Sequence, residues 1–561
     1  MVKKYPIVKL LFNKEIINET QRDLIMAKTE EIADEMDAIV GSEVLSEKEL
    51  TKHLGVLFNM EYIDLEGYEI DDELIEVIPK NILTKLLVLP IKEDETTISI
   101  VVSDPTDIQG LESLYYYTDK KIIFFISEKS IIEKRYLVEN SKSSSSEAIE
   151  TLSIEFGEAD IISENNVLSD DSDAPSIKLT NSILSEAITM GASDIHIEPF
   201  ETHLLVRYRL DGILKEILRL PANIYPAIIA RFKMMSGMDI SERRIPQEGR
   251  LEVTLIGKAV DLRFSSLPNV FGEKIVIRIL QKDIMDKSLK TIGFSDEDYV
   301  KVQEMLGRRD GIILVTGPTG SGKSTTLYSF LNEMRSSEKA IVTVEDPVEY
   351  TIDGFNQTQV NTKQGMTFPL ALRAILRQDP DIIMIGEIRD EETANIAVRS
   401  SITGHLVFST LHTNSALSSI IRLVDMGVRP YLLADSIRGV IAQRLVRRLC
   451  PDCKEAYIST PHEMIDLNIT EPTTLYKACG CKRCNQIGYK GRFPVFEVLR
   501  ISKELKKLIQ NEAPADELDA QVKTERMQLL YDRGVQAVLN GQTSIQELRG
   551  LDNGDTTSAE I

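Results

Sequence analysis

The sequence predicts an α/β protein whose core is a parallel sheet carrying a phosphate-binding loop. Three observations point there. The first is Ile312-Ile313-Leu314-Val315-Thr316, a short apolar and β-branched run that reads as a buried strand. It is followed at once by Gly317-Pro318-Thr319-Gly320-Ser321-Gly322-Lys323-Ser324 and a helical stretch from Thr325 to Met334, and this strand–loop–helix context is what the loop motif requires. The second is a pair of similar apolar runs, Ile341–Val344 and Ile382–Ile385, each ending in carboxylates. The third is the alternation of helical and strand-like periodicity on either side of this region.

Taken in chain order, residues 1–140 alternate helical and strand-like pieces, such as Glu47–Leu57 and Thr97–Val102, and read as a small α+β domain. The stretch 141–174 holds Ser143-Ser144-Ser145-Ser146 and Asp170-Asp171-Ser172-Asp173, and such a composition buries little apolar surface, so it reads as a flexible acidic linker. Over 175–285 a helix (Ile177–Met190) precedes the strands Asp194–Glu198 and His203–Leu210, with a turn at Asp211-Gly212. The phosphate-loop domain spans 290–500 and contains a cysteine-bearing insert at 450–485. A helical region (501–550) and an acidic tail (551–561) complete the chain.

Length and charge bound the function. A chain of 561 residues accommodates three to four domains. Its net charge of -23 argues against nonspecific nucleic-acid binding, which needs a basic surface. No run of about 18 apolar residues is present, so no membrane span is expected. The apolar stretch near the start ends at Asn13, too short for a signal peptide.

The loop residues dictate a chemistry. Glycines let successive backbone N–H groups turn toward phosphate, and the following helix N-terminus adds partial positive charge. Lys323 is expected to reach the β- and γ-phosphates, and Ser324, next to Thr325 in the first helical turn, to ligate magnesium. The strand Ile382–Ile385 carries Asp381 before it and Glu387 after it, and an acid at a strand end suits a magnesium-bound or attacking water. Glu345, Asp346 and Glu349 crowd one strand end, where like charges repel unless a cation or a water needs them. His405 and His412 flank Leu406-Val407-Phe408; a lone histidine in such a strand is more often a satisfied core residue than a ligand.

Four of the five cysteines form two pairs, Cys450-Pro451-Asp452-Cys453 and Cys481-Lys482-Arg483-Cys484, separated by 27 residues. Two such pairs complete a tetrahedral structural zinc site with no open position; reduced thiols or disulfides are the alternative. Cys479 stands outside this spacing.

These segments, in this order, resemble the type II/type IV secretion ATPase superfamily (the GspE/PulE family): the phosphate loop, the acidic segment Glu345–Glu349, the strand leading to Glu387-Ile388-Arg389-Asp390, and Thr403-Gly404-His405 through His412-Thr413. Upstream, Ala192-Ser193-Asp194-Ile195-His196-Ile197-Glu198-Pro199, Arg207-Tyr208-Arg209-Leu210-Asp211-Gly212 and Ile245-Pro246-Gln247-Glu248-Gly249-Arg250 also match. The cysteine pairs and the front domain place the resemblance in the assembly and export branch, typified by PilB and GspE, rather than the retraction branch.

The resemblance implies a RecA-like ATPase core preceded by a PAS-like α+β domain, with ATP, Mg2+ and structural Zn2+ as cofactors. It further implies a cytoplasmic homo-hexamer at the inner face of the cytoplasmic membrane, driving pilus assembly through an inner-membrane platform protein. A type II secretion or DNA-uptake machine of the same build is the alternative, and a nucleic-acid translocase is disfavoured by the charge. By the same resemblance Glu387 is the catalytic glutamate, Glu345 and Glu349 help position water or magnesium, His405 and His412 respond to the γ-phosphate, and Arg263 and Arg278 reach the nucleotide.

Residues 1–140 resemble the front domain of these ATPases through a paired repeat, Ile16–Gln21 and Val44–Leu50. Some relatives bind cyclic di-GMP there through an Arg-Leu-Gly and a later glycine. This chain lacks the Arg-Leu-Gly, and Glu15 and Glu43 stand where glycines would be, so docking to membrane partners is expected instead of dinucleotide binding.

Overall fold

The computed structural model describes residues 6–136 and 174–551, apart from 30–31, 33, 43, 66–67, 69–73, 75–76, 256–257, 282–288 and 526. The expected linker and acidic tail fall almost wholly outside the described residues, as does Glu43. The chain divides into two compact units, Met1–Tyr208 with Glu216–Gly249 and Ser265–Val276, and Arg209–Lys215 with Arg250–Phe264 and Ile277–Ile561. Among the described residues no helix is long and apolar enough to cross a membrane.

The front of the first unit begins with four helices, Pro6–Asn13, Glu19–Lys28, Glu35–Gly41 and Glu47–Phe58. The sequence repeat noted there is a repeated helix start. Asn18 and Gln21 form a capping box at Glu19–Lys28, and Ser46 and Glu49 form the same device at Glu47–Phe58. Glu15 adopts φ +58°, a left-handed conformation that glycine takes most easily. The sheet that follows has the order Glu61–Tyr62, Lys121–Ile126, Thr97–Val102, Val88–Glu93. Leu50, Leu54, Ile98 and Ile100 lie in one buried core with Leu11 and Ile25.

A six-stranded sheet comes next, in the order Ile213–Pro221, His203–Leu210, Asp194–Pro199, Gly272–Gln281, Lys258–Asn269, Gln247–Leu255. Helices Pro175–Thr189 and Tyr225–Met235 fall in the same stretch of chain, so helix and strand are mixed here. In the first unit Lys233 and Glu273 form a buried ion pair at 2.7 Å, with the Lys233 ammonium also donating to the Glu242 carbonyl. A buried charge persists only when so compensated.

The second unit is built on a seven-stranded sheet in the order Asn356–Gln359, Ile341–Glu345, Ile382–Ile385, Leu406–Leu411, Gly311–Thr316, Ile437–Leu449, Tyr489–Arg500. The pairs are parallel up to Ile437–Leu449, which pairs antiparallel with Tyr489–Arg500. Gly311–Thr316, Ile341–Glu345, Ile382–Ile385 and Leu406–Leu411 are buried along their whole length, which is why they read as uninterrupted apolar runs rather than alternating ones. One core cluster gathers Ile312, Leu314, Ile383, Ile385 and Val407; another gathers Ile313, Val315, Ile382, Met384 and Phe408. Alternate residues of the same strands therefore supply separate cores. The register pairs Gly311 and Ile382 with Leu406 at one edge, and Thr316 with Leu411 at the other. Residues that follow these strands gather at this second edge, and the phosphate loop is among them.

Candidate nucleotide site and metal centre

The loop leaves its strand through Gly317 (φ +150°), turns at Gly320 (φ +78°) and enters the helix Lys323–Met334 through Gly322 (φ +90°). Gly317 is required by space as well as by conformation. A β-carbon there would stand 2.4 Å from the Gln443 carbonyl oxygen and 2.6 Å from Ser321 Oγ. Gln443, buried on strand Ile437–Leu449, ties the loop down: its Nε2 donates to the Ser321 carbonyl at 2.7 Å and its Oε1 accepts from Thr326 Oγ1 at 2.7 Å. Sequence reading missed Gln443. The available signal is an amide in an otherwise apolar stretch, Val440-Ile441-Ala442-Gln443.

Lys323 donates to the carbonyls of Gly317 (2.7 Å) and Pro318 (3.1 Å). Burial pushes its ammonium down to about 8, Glu387 pulls it back up, and the charge of Arg444 pushes it further down. Ser324, in the first helical turn, is exposed, and Thr325 beside it is half-buried.

Glu387 and His412 follow their strands and meet at the same edge as the loop. His412 Nε2 lies 3.3 Å from Glu387 Oε2, and Arg389 grips the other carboxylate oxygen at 2.5 Å. Glu345 is buried, and its carboxylate accepts from Tyr328 Oη, from Thr343 Oγ1 at 2.6 Å and from Gln357 Nε2 at 3.2 Å. Burial, with Glu345 beside it, pushes the Tyr328 phenol far above its ordinary value, so it remains a donor. The crowding of acids at this strand end is thus relieved by hydrogen-bond donors and by a guanidinium. Arg263 Nη1 stands 2.9 Å from Glu349 Oε2, and its Nη2 donates to the Val348 (2.7 Å) and Glu349 (3.1 Å) carbonyls. Arg278 lies on strand Gly272–Gln281 with its side chain exposed.

Two expected residues are not brought to the loop. Asp381 precedes Ile382–Ile385, and its carboxylate accepts from the Ala340 N–H at 2.7 Å. His405 precedes Leu406–Leu411, and its Nδ1 lies 2.9 Å from the Ser400 carbonyl oxygen. In a parallel sheet the residues before the strands share one edge and those after them share the other. Asp381 and His405 therefore stand at the edge opposite Gly317, roughly 13–20 Å away at about 3.3 Å per residue.

The four paired cysteines converge. Cys450 and Cys481 Sγ atoms are 3.8 Å apart, Cys453 and Cys484 are 3.7 Å apart, and Cys481 and Cys484 are 3.7 Å apart. Four thiolates about 2.3 Å from a common zinc stand about 3.8 Å from each other, whereas a disulfide would bring two sulfurs to about 2.05 Å. Backbone N–H groups of Gly480, Cys481 and Gly488 point at the sulfurs of Cys453, Cys484 and Cys484, at 3.4, 3.2 and 3.2 Å. Such donors stabilise thiolate rather than thiol. The donor set fits a metal ion, and Cys479, exposed and 3.4 Å from Glu455, lies outside it. The insert between the pairs is a two-stranded antiparallel sheet, Glu455–Ile458 with Thr474–Lys477, and a short helix, Pro461–Asp466.

Residues 169–550 match the family described as type II/IV secretion system protein, and residues 58–140 match the MshEN domain. The chain is 48% identical over 396 residues to the type II secretion system ATPase E of Vibrio cholerae, covering 70% of this chain and 78% of that protein. It is 39% identical over 525 residues to the type IV pilus assembly ATPase PilB of Myxococcus xanthus, covering 91% and 92%. The solved structure of the Legionella pneumophila ATPase DotB, at 22% identity and a TM-score of 0.50 over 66% of this chain and 94% of that one, shares its fold. The chain belongs to the type II/IV secretion system protein family and is an ATP-hydrolysing motor subunit of it.

Proposed function

We propose that this chain is the assembly ATPase of a type IV pilus, working as a homo-hexamer on the cytoplasmic side of the inner membrane and acting on pilins through a platform protein. The observation that carries the reading is the alignment with a pilus assembly ATPase over 91% of the chain, front domain included, around an intact phosphate loop. In this reading ATP lies on Gly317–Ser324, Lys323 holds its β- and γ-phosphates, and Ser324 ligates Mg2+. Glu387 orients or activates the attacking water. Glu349 and Arg263 act as one unit, because they are ion-paired, and Glu345 shapes the same strand end from the interior. Zn2+ in the cysteine tetrad is structural.

A second reading, the ATPase of a type II secretion machine, is favoured by the higher identity, 48%, to such a protein. A strain lacking this chain separates the two. The pilus reading expects loss of surface pili, restored by the parent chain but not by Lys323→Ala. Intact pili with loss of protein export would replace it by the second reading.

Arg278 is proposed to complete the site of a neighbouring subunit. A guanidinium stays charged and can grip two phosphate oxygens as the bond to the γ-phosphate breaks. Arg278→Ala should lower turnover about 10³-fold or more, in the range of arginine fingers in other P-loop enzymes, with zinc content unchanged. Turnover per subunit of the parent should climb with protein concentration. Parental turnover in Arg278→Ala would remove this role.

A further inference from the structure

Arg444 has no place in the reading so far, yet it stands at the mouth of the phosphate loop. Its Nη1 lies 3.2 Å from where a β-carbon on Gly317 would be. The pairing of Thr316 with Ala442 explains this, since Gln443 and Arg444 are the next residues along strand Ile437–Leu449 and pass the loop as it leaves its own strand. The backbone of Gln443 closes on Gly317, its side chain ties down Ser321 and Thr326, and Arg444 borders the opening.

The partners of Arg444 are unusual for a half-buried arginine. Nη1 donates to the Gln443 carbonyl at 3.2 Å, and Nη2 donates to the Asn414 carbonyl at 3.2 Å and to Asn414 Oδ1 at 3.0 Å. All are neutral acceptors, and among the described residues no carboxylate forms an ion pair with it. Burial lowers the guanidinium from its ordinary value, and only the charge of the buried Glu497 pulls it back. Lys323 Nζ stands at the same glycine, donating to the Gly317 carbonyl at 2.7 Å. Two half-buried cations that repel each other across a glycine loop are mutually unfavourable until an anion lies between them.

The position also indicates which part of the nucleotide supplies that anion. Across the sheet, Glu387, His412, Gly317 and Arg444 follow one another at the ends of, or along, four adjacent strands. Arg444 reaches back over the mouth to Asn414, two residues beyond His412, which itself meets Glu387. Its guanidinium therefore lies on the side of the loop where the terminal phosphate would face the water-orienting acid. The loop then continues through Gly322 into the helix Lys323–Met334.

We propose that Arg444 is a same-chain ligand of the terminal phosphate of the bound nucleoside triphosphate, gripping it together with Lys323. This rests on the nucleotide-site reading above. The arginine selects triphosphate over diphosphate by a charge-assisted contact that only the triphosphate can make, and it exchanges its neutral partner Asn414 for phosphate oxygen on binding. Lys323, by contrast, is expected to serve both nucleotides through the β-phosphate.

The test uses the full-length protein with Mg2+, titrated with AMP-PNP and with ADP, beside steady-state turnover and thermal melting. Arg444→Gln should weaken AMP-PNP binding about 10- to 100-fold, the scale of one charged hydrogen-bonding group, and ADP binding less than about threefold, with the melting temperature of the free protein unchanged. Arg444→Lys should recover part of the AMP-PNP affinity, since the charge remains and the fork is lost. AMP-PNP affinity and turnover within about twofold of the parent in Arg444→Gln would overturn the proposal. Equal losses for both nucleotides with a lowered melting temperature would also overturn it, by assigning Arg444 to loop support. Lys323→Ala in the same assays keeps the two readings apart: unchanged binding in that variant would overturn the site itself, whereas loss there with a parental Arg444→Gln overturns only the arginine.

Discussion

Glu387→Gln should slow ATP turnover roughly 10²- to 10⁴-fold, the usual worth of a positioned general base, while nucleotide binding survives. The substitution keeps the shape of the side chain and removes its charge. It keeps Lys323 and the loop amides in place, but it removes the charge that helps to hold the Lys323 ammonium protonated and deprives His412 and Arg389 of a carboxylate partner. Lys323→Ala should lose binding and turnover together, because it deletes the cation proposed to hold the phosphates. Isothermal titration beside a phosphate-release assay distinguishes the two losses, and parental turnover in both variants would sink the assignment of the site.

The Lys323 ammonium gives a pH signature to the same experiment. Burial brings it to about 8 in the free protein, and a bound anion would raise it. The protonated form is the one that binds. Affinity should thus be level below about pH 8 and fall up to tenfold per pH unit above it, until the raised value of the complex is reached. The fall should vanish in Lys323→Ala. A parental affinity flat through pH 9.5 would contradict the role of this ammonium.

The second large effect concerns the metal. The purified chain should carry one zinc, and Cys453→Ser should lose it, because three thiolates leave one corner of the tetrahedron open. Zinc binding to structural sites is worth about 10–16 kcal/mol, far more than a two-stranded sheet of four-residue strands supplies by itself. The insert should then lose its fold, with protease cleavage concentrating between 450 and 485, while Cys479→Ser keeps both metal and resistance. Metal analysis of freshly reduced protein that finds no zinc would reject this, as would a Cys453→Ser variant as protease-resistant as the parent.

How much of this could be read from residues alone depends on whether the signal was local. The loop, its strand and its helix are consecutive, so their contacts are written in spacing, although the helix begins at Lys323, two residues before the expected Thr325. The front-domain repeat is local too: the structure shows it to be two capping boxes that each close within three residues. Asp381 and His405 adjoin apolar strands as Glu387 and His412 do, but they precede Ile382–Ile385 and Leu406–Leu411 instead of following them. A residue before a parallel strand lies a full strand length from one after it, and chain order alone carries that distinction. Gln443 and Arg444 were not legible. They reach the loop through the pairing of Ile437–Leu449 with Gly311–Thr316, more than a hundred residues earlier in the chain, and no local pattern marks that register.

The strand Ile437–Leu449 has a mechanical consequence. It passes the loop mouth at Gln443 and ends one residue before Cys450, the first thiol of the insert, so the two places are joined by about 20 Å of one extended chain. Over most of that length ladder bonds to Tyr489–Arg500 stiffen it like a connecting rod. The register shifts between Arg447 and Leu449, and a bulge of this kind bends a strand and breaks the ladder locally. The rod therefore ends in a joint. Up to that joint the ladder fixes the register between the loop mouth and the approach to Cys450; beyond it the chain is free of the ladder that positions Gln443.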